Sequence, residues 1–252
     1  MLMVLTGADI NAVGPGIWNS WKEGLLSELY YRALEEMEMT GGQPPVRRAQ
    51  RVEQAKANLR EALSGWDPDQ LERYFARGYS EYWLAFDTAT QVHHFEMMRK
   101  AESEGQPLRV EVKPLPARGI TELTIYAPDH PGLFARMAGA MALSGANIVD
   151  AKIITLANSM ALDTFRIQDN NGGPFDQPDR LDRLRVRIER AIVGQIYPAR
   201  ELEAVRSSTP PSRTGVFKVP PAVILDNKAS ATHTVIEVNG RPWLLIDFFR
   251  RS

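Results

Sequence analysis

Apolar residues follow two different spacings along the chain. Up to about residue 103 they recur every three or four positions, which is the spacing of helices that bury one face. Beyond Gly105 they alternate with polar residues, as at Leu108, Val110 and Val112, which is the spacing of half-buried strands. The pattern therefore predicts an all-helical region at 1–104 and, from residue 105 onward, a domain that mixes strands and helices.

Helix signals dominate the first region. Residues 1–13 are largely apolar and are predicted to be helical, and amphipathic helices are predicted at 17–39 and 46–64. Asp67 and Asp87 each precede a further helix and suit an N-cap, because a carboxylate can accept hydrogen bonds from the first backbone N–H groups. The aromatic residues of this region are interpreted as core rather than as a binding site.

The second region has the element order strand, helix, strand, strand, helix, preceded by one more strand. The predicted strands lie at 108–113, around 123–126, at 147–157 and at 160–168, and the helices follow Gly132 and either Asp176 or Gln177. A further strand would complete a ferredoxin-like βαββαβ sandwich at 105–198, so the predicted fold class is α+β. Residues 199–215 are predicted to be a mobile linker, and 216–252 an extended segment.

Composition narrows the classes of function. The chain has 252 residues and a net charge of −1, so there is no general electrostatic attraction to nucleic acid or to a membrane surface. It has no cysteine, which excludes disulfides and thiolate chemistry and fits a cytoplasmic protein. No apolar run approaches the roughly 20 residues of a membrane helix. Two arginine clusters are interpreted as solvated helix faces, and they comprise Arg47, Arg48 and Arg51, then Arg180, Arg183, Arg185, Arg187 and Arg190.

A resemblance to ACT domains, which are amino-acid-sensing modules of βαββαβ fold, rests on two motifs. They are YAPDHPGLF at 126–134 and GANI at 145–148. A longer resemblance extends over nearly the whole chain and comprises LTGADI at 5–10, GPGIWNSWK at 14–22, YWL at 82–84, HH at 93–94, VILDN at 223–227 and TVIEV at 234–238. In this order the motifs resemble the bifunctional uridylyltransferase/uridylyl-removing enzymes of the PII nitrogen-signalling protein.

The resemblance implies a complete enzyme with a nucleotidyltransferase domain, an HD phosphohydrolase domain that uses Mg or another divalent metal, and two ACT domains. This chain would begin near the end of the HD domain, where Asp9 matches the last metal ligand. One carboxylate cannot hold a catalytic metal, so we expect no catalytic residue and no cofactor in this chain. After Val238 the stretch Arg241–Leu244 lacks the Asp and Gly of an ACT turn, so the second ACT domain is predicted to be incomplete. The chain would then be a fragment, a split gene or the product of a frameshift.

The predicted turn before the first ACT helix suits an amino acid. Asp129 can accept from an ammonium group, and backbone N–H groups around Gly132 and Leu133 can receive a carboxylate at the start of a helix. Asn147 can both donate to and accept from an amide side chain, which suits glutamine, the ligand that the resemblance implies. The predicted ligand-binding residues are Asp129, His130, Gly132, Leu133, Asn147 and Ile148.

A structural role is open for the same residues. Asp129 could cap the helix with Pro131 in its first turn, and Asn147 could be a turn residue. His130 suits a solvated turn position. His93 and His94 are neighbours and would point about 100° apart on a helix, so they cannot chelate one metal.

Three functions therefore compete. The first is a regulatory unit that senses glutamine or another small amino acid and acts on PII through the complete enzyme. The second is an ACT-type dimerisation or interaction module, which would form a homodimer without binding a ligand. The third is a residual phosphohydrolase that uses Asp9.

Overall fold

The computed structural model describes residues 2–12, 44–208, 222–226 and 235–239, together with a few helical residues between 22 and 33. The predicted helix at 17–39 lies largely outside them. The helices are α1 (Leu2–Ala12), α2 (Pro44–Ala62), α3 (Pro68–Phe75), α4 (Ser80–Ala85), α5 (Thr88–Ser103), α6 (Leu133–Leu143), α7 (Pro178–Ile192) and α8 (Pro198–Ser208). The strands are β1 (Arg109–Leu115), β2 (Ile120–Pro128), β3 (Asn147–Lys152), β4 (Met160–Gln168), β5 (Ala222–Asp226) and β6 (Val235–Asn239).

Helices α2 to α5 form one layer, which we call the helical layer. Both predicted caps are confirmed, since Asp67 accepts from the Gln70 N–H at 2.7 Å and Asp87 accepts from the Thr90 N–H at 2.8 Å. The predicted aromatic core is confirmed as well. Its buried rings pack edge to face or tilted, and they belong to Tyr74, Phe75, Tyr82, Trp83 and Phe95.

Strands β1 to β4 form one antiparallel sheet in the order β1-β2-β4-β3. The predicted α+β fold, with an ACT-like sheet after a helical region, is confirmed. The fourth strand, however, precedes the βαββα unit instead of following it. A short 3-10 turn at Pro116–Arg118 folds β1 back beside β2, where Val110 lies opposite Ile125. The sheet is therefore complete within residues 109–168.

Both faces of this sheet are covered. Helices α6 and α7 pack on one face, where Phe165 and Met137 are fully buried. The helical layer packs on the other face, where Tyr126 and Leu162 join the aromatic cluster. The imidazole of His94 also lies between these layers. The described chain from 44 to 208 is thus built of three layers, helices on a sheet on helices.

Strand β3 is shorter than predicted. It ends at Lys152 rather than at 157, its register shifts between Ile148 and Asp150, and beyond it only the isolated pair Thr155–Ala161 continues the pairing. The reason is that residues 153–159, the connecting segment, turn toward the helical layer. There Leu156 is buried, and the N–H of Ala157 donates to the Arg77 carbonyl at 3.0 Å.

The predicted linker at 199–215 is wrong over its first half, because residues 198–208 form helix α8. Leu202 is buried, and α8 packs closely on α6 at Gly139, where an added Cβ would lie 2.7 Å from Pro198 Cβ. Residues 209–215 lie outside the described part of the chain, as does the stretch Arg241–Leu244. Within the segment 216–252, which is predicted to be extended, the described strands β5 and β6 confirm the prediction for their own residues and pair antiparallel, with Val223 opposite Val238.

None of the helices that the structure describes is long and apolar enough to span a membrane.

Candidate functional site

The turn between β2 and α6 is exposed and begins where the sheet ends. Strand β2 ends at Pro128 and helix α6 begins at Leu133, whose side chain is buried in the core. Gly132 precedes the helix with a φ of 82°, a conformation that favours glycine, and an added Cβ there would meet nothing within 4 Å. The backbone at Gly132 is therefore open to a ligand.

Asp129 does not cap the helix, so that structural role is wrong. Its Oδ2 accepts from the Thr155 hydroxyl at 2.7 Å, and its N–H donates to the Ser159 carbonyl at 3.0 Å. The residue before the helix is Gly132, which has no side chain to cap with. Because Asp129 is exposed at the same time, its carboxylate is oriented by the connecting segment and can still be reached from solvent.

The backbone donors of the turn are only partly available. The N–H of Leu133, predicted to receive a ligand carboxylate, donates to the His130 carbonyl at 3.1 Å, and the N–H of Arg136 donates to the Gly132 carbonyl at 3.1 Å. Within the described residues the N–H of Gly132 has no protein acceptor. The amide of Ala135, in the first turn of α6, has no partner within its own helix. An anion at this helix end would meet these two groups and the positive end of the helix dipole.

His130 makes a contact local to the turn. Its Nδ1 lies 3.0 Å from the Pro131 carbonyl, and the residue is half-buried. The contact fits a turn position and leaves its predicted role in ligand binding a prediction.

Asn147 and Ile148 do not lie at this turn. Pro128 pairs with Met160 at one end of β4, whereas Asn147 pairs with Gln168 at the other. The two ends are eight residues apart along β4, or about 26 Å at roughly 3.3 Å per residue. The Asn147 amide donates instead to the Asp169 carbonyl at 3.1 Å. One chain therefore cannot bring Asn147 and Asp129 to the same ligand.

The structure brings a second carboxyl close to the turn, which the sequence reasoning missed. Asp163 of β4 is 2% exposed and accepts from the Ile154 N–H at 3.1 Å. Burial, and to a lesser degree the charge of Asp129, raise the pKa of Asp163 to about 7, whereas the Ile154 hydrogen bond lowers it. The signal was present in the sequence, since Asp163 occupies a position between Ala161 and Phe165 that alternation assigns to the buried face.

No group of three or more His, Asp or Glu residues in the described part of the chain is arranged to hold a metal. His94 is fully buried between the Tyr82 hydroxyl and the Thr164 hydroxyl, each 3.4 Å from a ring nitrogen, and burial lowers its pKa to about 3. His93 instead points to Glu111 at 3.2 Å. Asp9 is exposed on α1, and its assignment to an HD metal site stays a prediction.

The second arginine cluster is not simply a solvated face. Arg187 donates to the Leu143 carbonyl at 2.8 Å and so caps the end of α6, and the Arg180 guanidinium stacks on Phe175 at 4.1 Å. Both line a cavity of about 700 Å³, together with Arg183 and Arg190. In the first cluster Arg48 pairs with Glu81 at 2.7 Å, which joins α2 to α4.

Comparison with known proteins gives relatives over nearly the full chain. The chain is 49% identical over 253 aligned residues to the bifunctional uridylyltransferase/uridylyl-removing enzyme of Azospirillum brasilense, covering 99% of the chain and 27% of that enzyme. Enzymes of the same name from Gluconobacter oxydans and Rhodospirillum rubrum are 45% and 43% identical, with 98% and 96% of the chain and 26% and 25% of the enzymes covered. The chain thus spans about a quarter of the length of these relatives. No protein-family model matches the chain.

Proposed function

Since the chain is homologous, over nearly its whole length, to about a quarter of the length of bifunctional uridylyltransferase/uridylyl-removing enzymes, we propose that it is a regulatory part of such an enzyme. The described domain at 109–208 would sense a small amino acid, with glutamine as the ligand. In the complete protein this binding would set the balance between uridylylation and deuridylylation of the PII signalling protein.

The observation that carries the proposal is the open turn at Asp129. Its carboxylate is exposed and held in place by Thr155, so it can accept from a ligand ammonium. On the other side of the turn, the N–H of Gly132 and the start of α6 can receive the ligand carboxylate. The two opposite charges of an amino acid thus find complementary groups within one short turn. Nothing comparable is needed for a loop that only connects a strand to a helix.

The connecting segment gives ligand binding a route to the helical layer. Thr155 binds the Asp129 carboxylate, and two residues further Ala157 donates to the Arg77 carbonyl of the helical layer. Leu156, between them, is buried in the aromatic cluster. A ligand that pulls on Asp129 would therefore bias how the segment packs on the helices, which is a population shift between two arrangements.

Isothermal titration of the chain with glutamine tests the proposal. We expect saturable heat at millimolar ligand or below, together with a rise in the melting temperature. Asp129→Asn removes the charge that pairs with the ammonium and should weaken binding at least about tenfold, the effect of losing roughly 1.4 kcal/mol. Asp182→Asn, an exposed change on α7, should bind like the parent. If the parent chain gives no heat and no thermal shift with glutamine, binding at this turn is contradicted.

Dimerisation is a second candidate, and the position of β3 favours it. β3 is an edge strand of the sheet, so its outer backbone groups can pair with another strand. If the β3 strands of two copies paired antiparallel, Asn147 of one copy would lie at the same end of the joined sheet as the Asp129 turn of the other, about 14 Å away across three strand spacings. Binding and dimerisation would then support each other. Size-exclusion chromatography with and without glutamine separates the cases, because a pure dimerisation module elutes at the same volume in both.

A further inference from the structure

A buried carboxyl lies in the sheet without a cation to balance it. Asp163 is 2% exposed, on the face of the sheet that Phe165 and Ile125 share with the core under α6. Among the described residues its one hydrogen-bond donor is the Ile154 N–H, and no Lys, Arg or His pairs with it. Burying a carboxylate with a single neutral donor is costly, and such groups concentrate where a protein binds or reacts.

The charged and titratable groups around Asp163 do not neutralise it. Lys152 of β3 points to the opposite face of the sheet and donates to the Ala85 carbonyl. Arg136 of α6 is directed to the end of α7 and donates to the Ile192 carbonyl at 3.1 Å. His94 of α5 and Tyr126 of β2 lie on the helical-layer side of the sheet. What remains is Asp129 of the turn, whose charge repels that of Asp163.

The two carboxyl groups are held by consecutive residues of the connecting segment. The Ile154 N–H donates to Asp163 at 3.1 Å, and the Thr155 hydroxyl donates to Asp129 at 2.7 Å. Because neighbouring residues hold the two carboxyl groups, a cation bound at the exposed Asp129 carboxylate would act on the buried carboxyl of Asp163.

We propose that Asp163 couples the binding of a ligand with a protonated amine to the release of a proton. This rests on the proposed function, since it requires the ammonium of the ligand to lie at Asp129. Without ligand, burial and the Asp129 charge favour the neutral carboxyl of Asp163. The arriving ammonium cancels the repulsion from Asp129 and stabilises a carboxylate, so the Asp163 O–H bond breaks and its proton passes to the solvent. The residue thereby selects for ligands that carry a positive charge.

Titration calorimetry with glutamine in two buffers of different ionisation enthalpy, phosphate and Tris, tests the coupling. With a pKa of about 7, Asp163 is about half protonated at pH 7, so we expect release of up to roughly half a proton per ligand. The release should fall to at most about a tenth of a proton at pH 8, where the carboxyl is mostly charged already and the ligand is still an ammonium. In Asp163→Asn, which keeps the size of the side chain, the observed heat should not depend on the buffer.

The outcomes distinguish this inference from the proposed function. Binding by the parent chain with the same heat in both buffers at pH 7 would overturn the coupling and leave the sensor intact. Undiminished proton release by Asp163→Asn, or at pH 8, would overturn it as well, because another group would then be the source. If the parent chain gives no heat and no thermal shift, the sensor itself is refuted and the coupling falls with it. The pH dependence is measured on the parent chain, so the test remains decisive even if the variant does not fold.

Discussion

Replacing Asp163 by Asn should change how the stability of the protein depends on pH. In the folded chain burial, as the largest cause, raises the pKa of Asp163 from the ordinary value of 3.8 to about 7. As pH rises from 4, the unfolded chain gives up this proton first, while the folded chain keeps it. A group whose pKa is raised by folding stabilises the protein at low pH, and that stabilisation is lost as pH rises to 7. Asn does not titrate, so the variant should not lose this stabilisation as pH rises.

The size of the effect follows from the difference between the two pKa values, about 3 units. At about 1.4 kcal/mol per unit this is roughly 4 kcal/mol over the whole range, an upper value for a side chain that is almost fully buried. Between pH 5 and pH 8 we expect Asp163→Asn to gain about 2–3 kcal/mol relative to the parent chain. For a chain of this size the gain corresponds to roughly 5–10 °C in melting temperature.

The stability of the variant has to be compared with that of the parent chain at each pH, because His94 changes the stability of both with pH in the opposite sense. Burial lowers the pKa of His94 to about 3, so the stability that this residue allows is lost as pH falls below its ordinary value of 6.5. The two slopes oppose each other between pH 4 and 6.5 and partly cancel in the parent chain. Urea unfolding followed by far-UV circular dichroism at pH 5, 6, 7 and 8 should therefore compare the parent, Asp163→Asn and the exposed control Asp182→Asn. Parallel stability curves for the parent and Asp163→Asn would refute a buried carboxyl that is neutral at low pH.

Two further changes test the packing of α8 and the orientation of the turn. Gly139→Ala places a Cβ 2.7 Å from Pro198 Cβ, so we expect overpacking to destabilise the protein by about 1–3 kcal/mol, partly offset by the better helix propensity of Ala, and proteolysis of α8 to be faster. Gly65→Ala, with open space around the added Cβ, is the control. Equal cleavage rates for the two variants would count against a docked α8. Thr155→Val removes the hydroxyl that holds Asp129, so glutamine binding measured by calorimetry should weaken about 3–10-fold. The free energy of unfolding should change by less than about 0.5 kcal/mol. Unchanged affinity would show that the hydroxyl does not orient the carboxylate.

Signals that act within a few residues could be read from the sequence. The caps at Asp67 and Asp87 depend on a carboxylate and an amide three residues later, and both are confirmed. Helix α8 was missed because its Ser- and Pro-containing neighbourhood resembles a linker, although Pro198 suits the first turn of a helix and Leu202 is apolar. Helix α8 is stabilised by its contact with α6, nearly 60 residues earlier in the chain, and no local sequence pattern contains that contact.

The candidate site shows the same division. The exposed turn and the open backbone at Gly132 follow from the run of residues around them. Asn147 was grouped with Asp129 because its amide suits the side chain of glutamine, the ligand that the resemblance implies. Which end of the sheet it occupies depends on the strand order β1-β2-β4-β3 and on antiparallel pairing. Asp163 was readable as an inward position by alternation, whereas its closeness to the turn requires the connecting segment to leave the sheet after Lys152.

The path of that segment also limits how large a regulatory movement has to be. A tenfold change in the balance between two arrangements needs about 1.4 kcal/mol of difference in ligand binding. One hydrogen bond contributes about 0.5–1.5 kcal/mol, and one such bond, from Ala157 to Arg77, joins the segment to the helical layer. The segment is joined to β4 by the isolated pair Thr155–Ala161 and by two backbone hydrogen bonds of 2.8 Å, from Leu156 to Met160 and from Leu162 to Ile154. A movement of the segment therefore breaks these local contacts and leaves the core between the sheet and α6 in place. If the proposed sensor acts through this segment, the movement involves seven residues and repositions Leu156 within the aromatic cluster, while the pairing of β2 with β4 is kept.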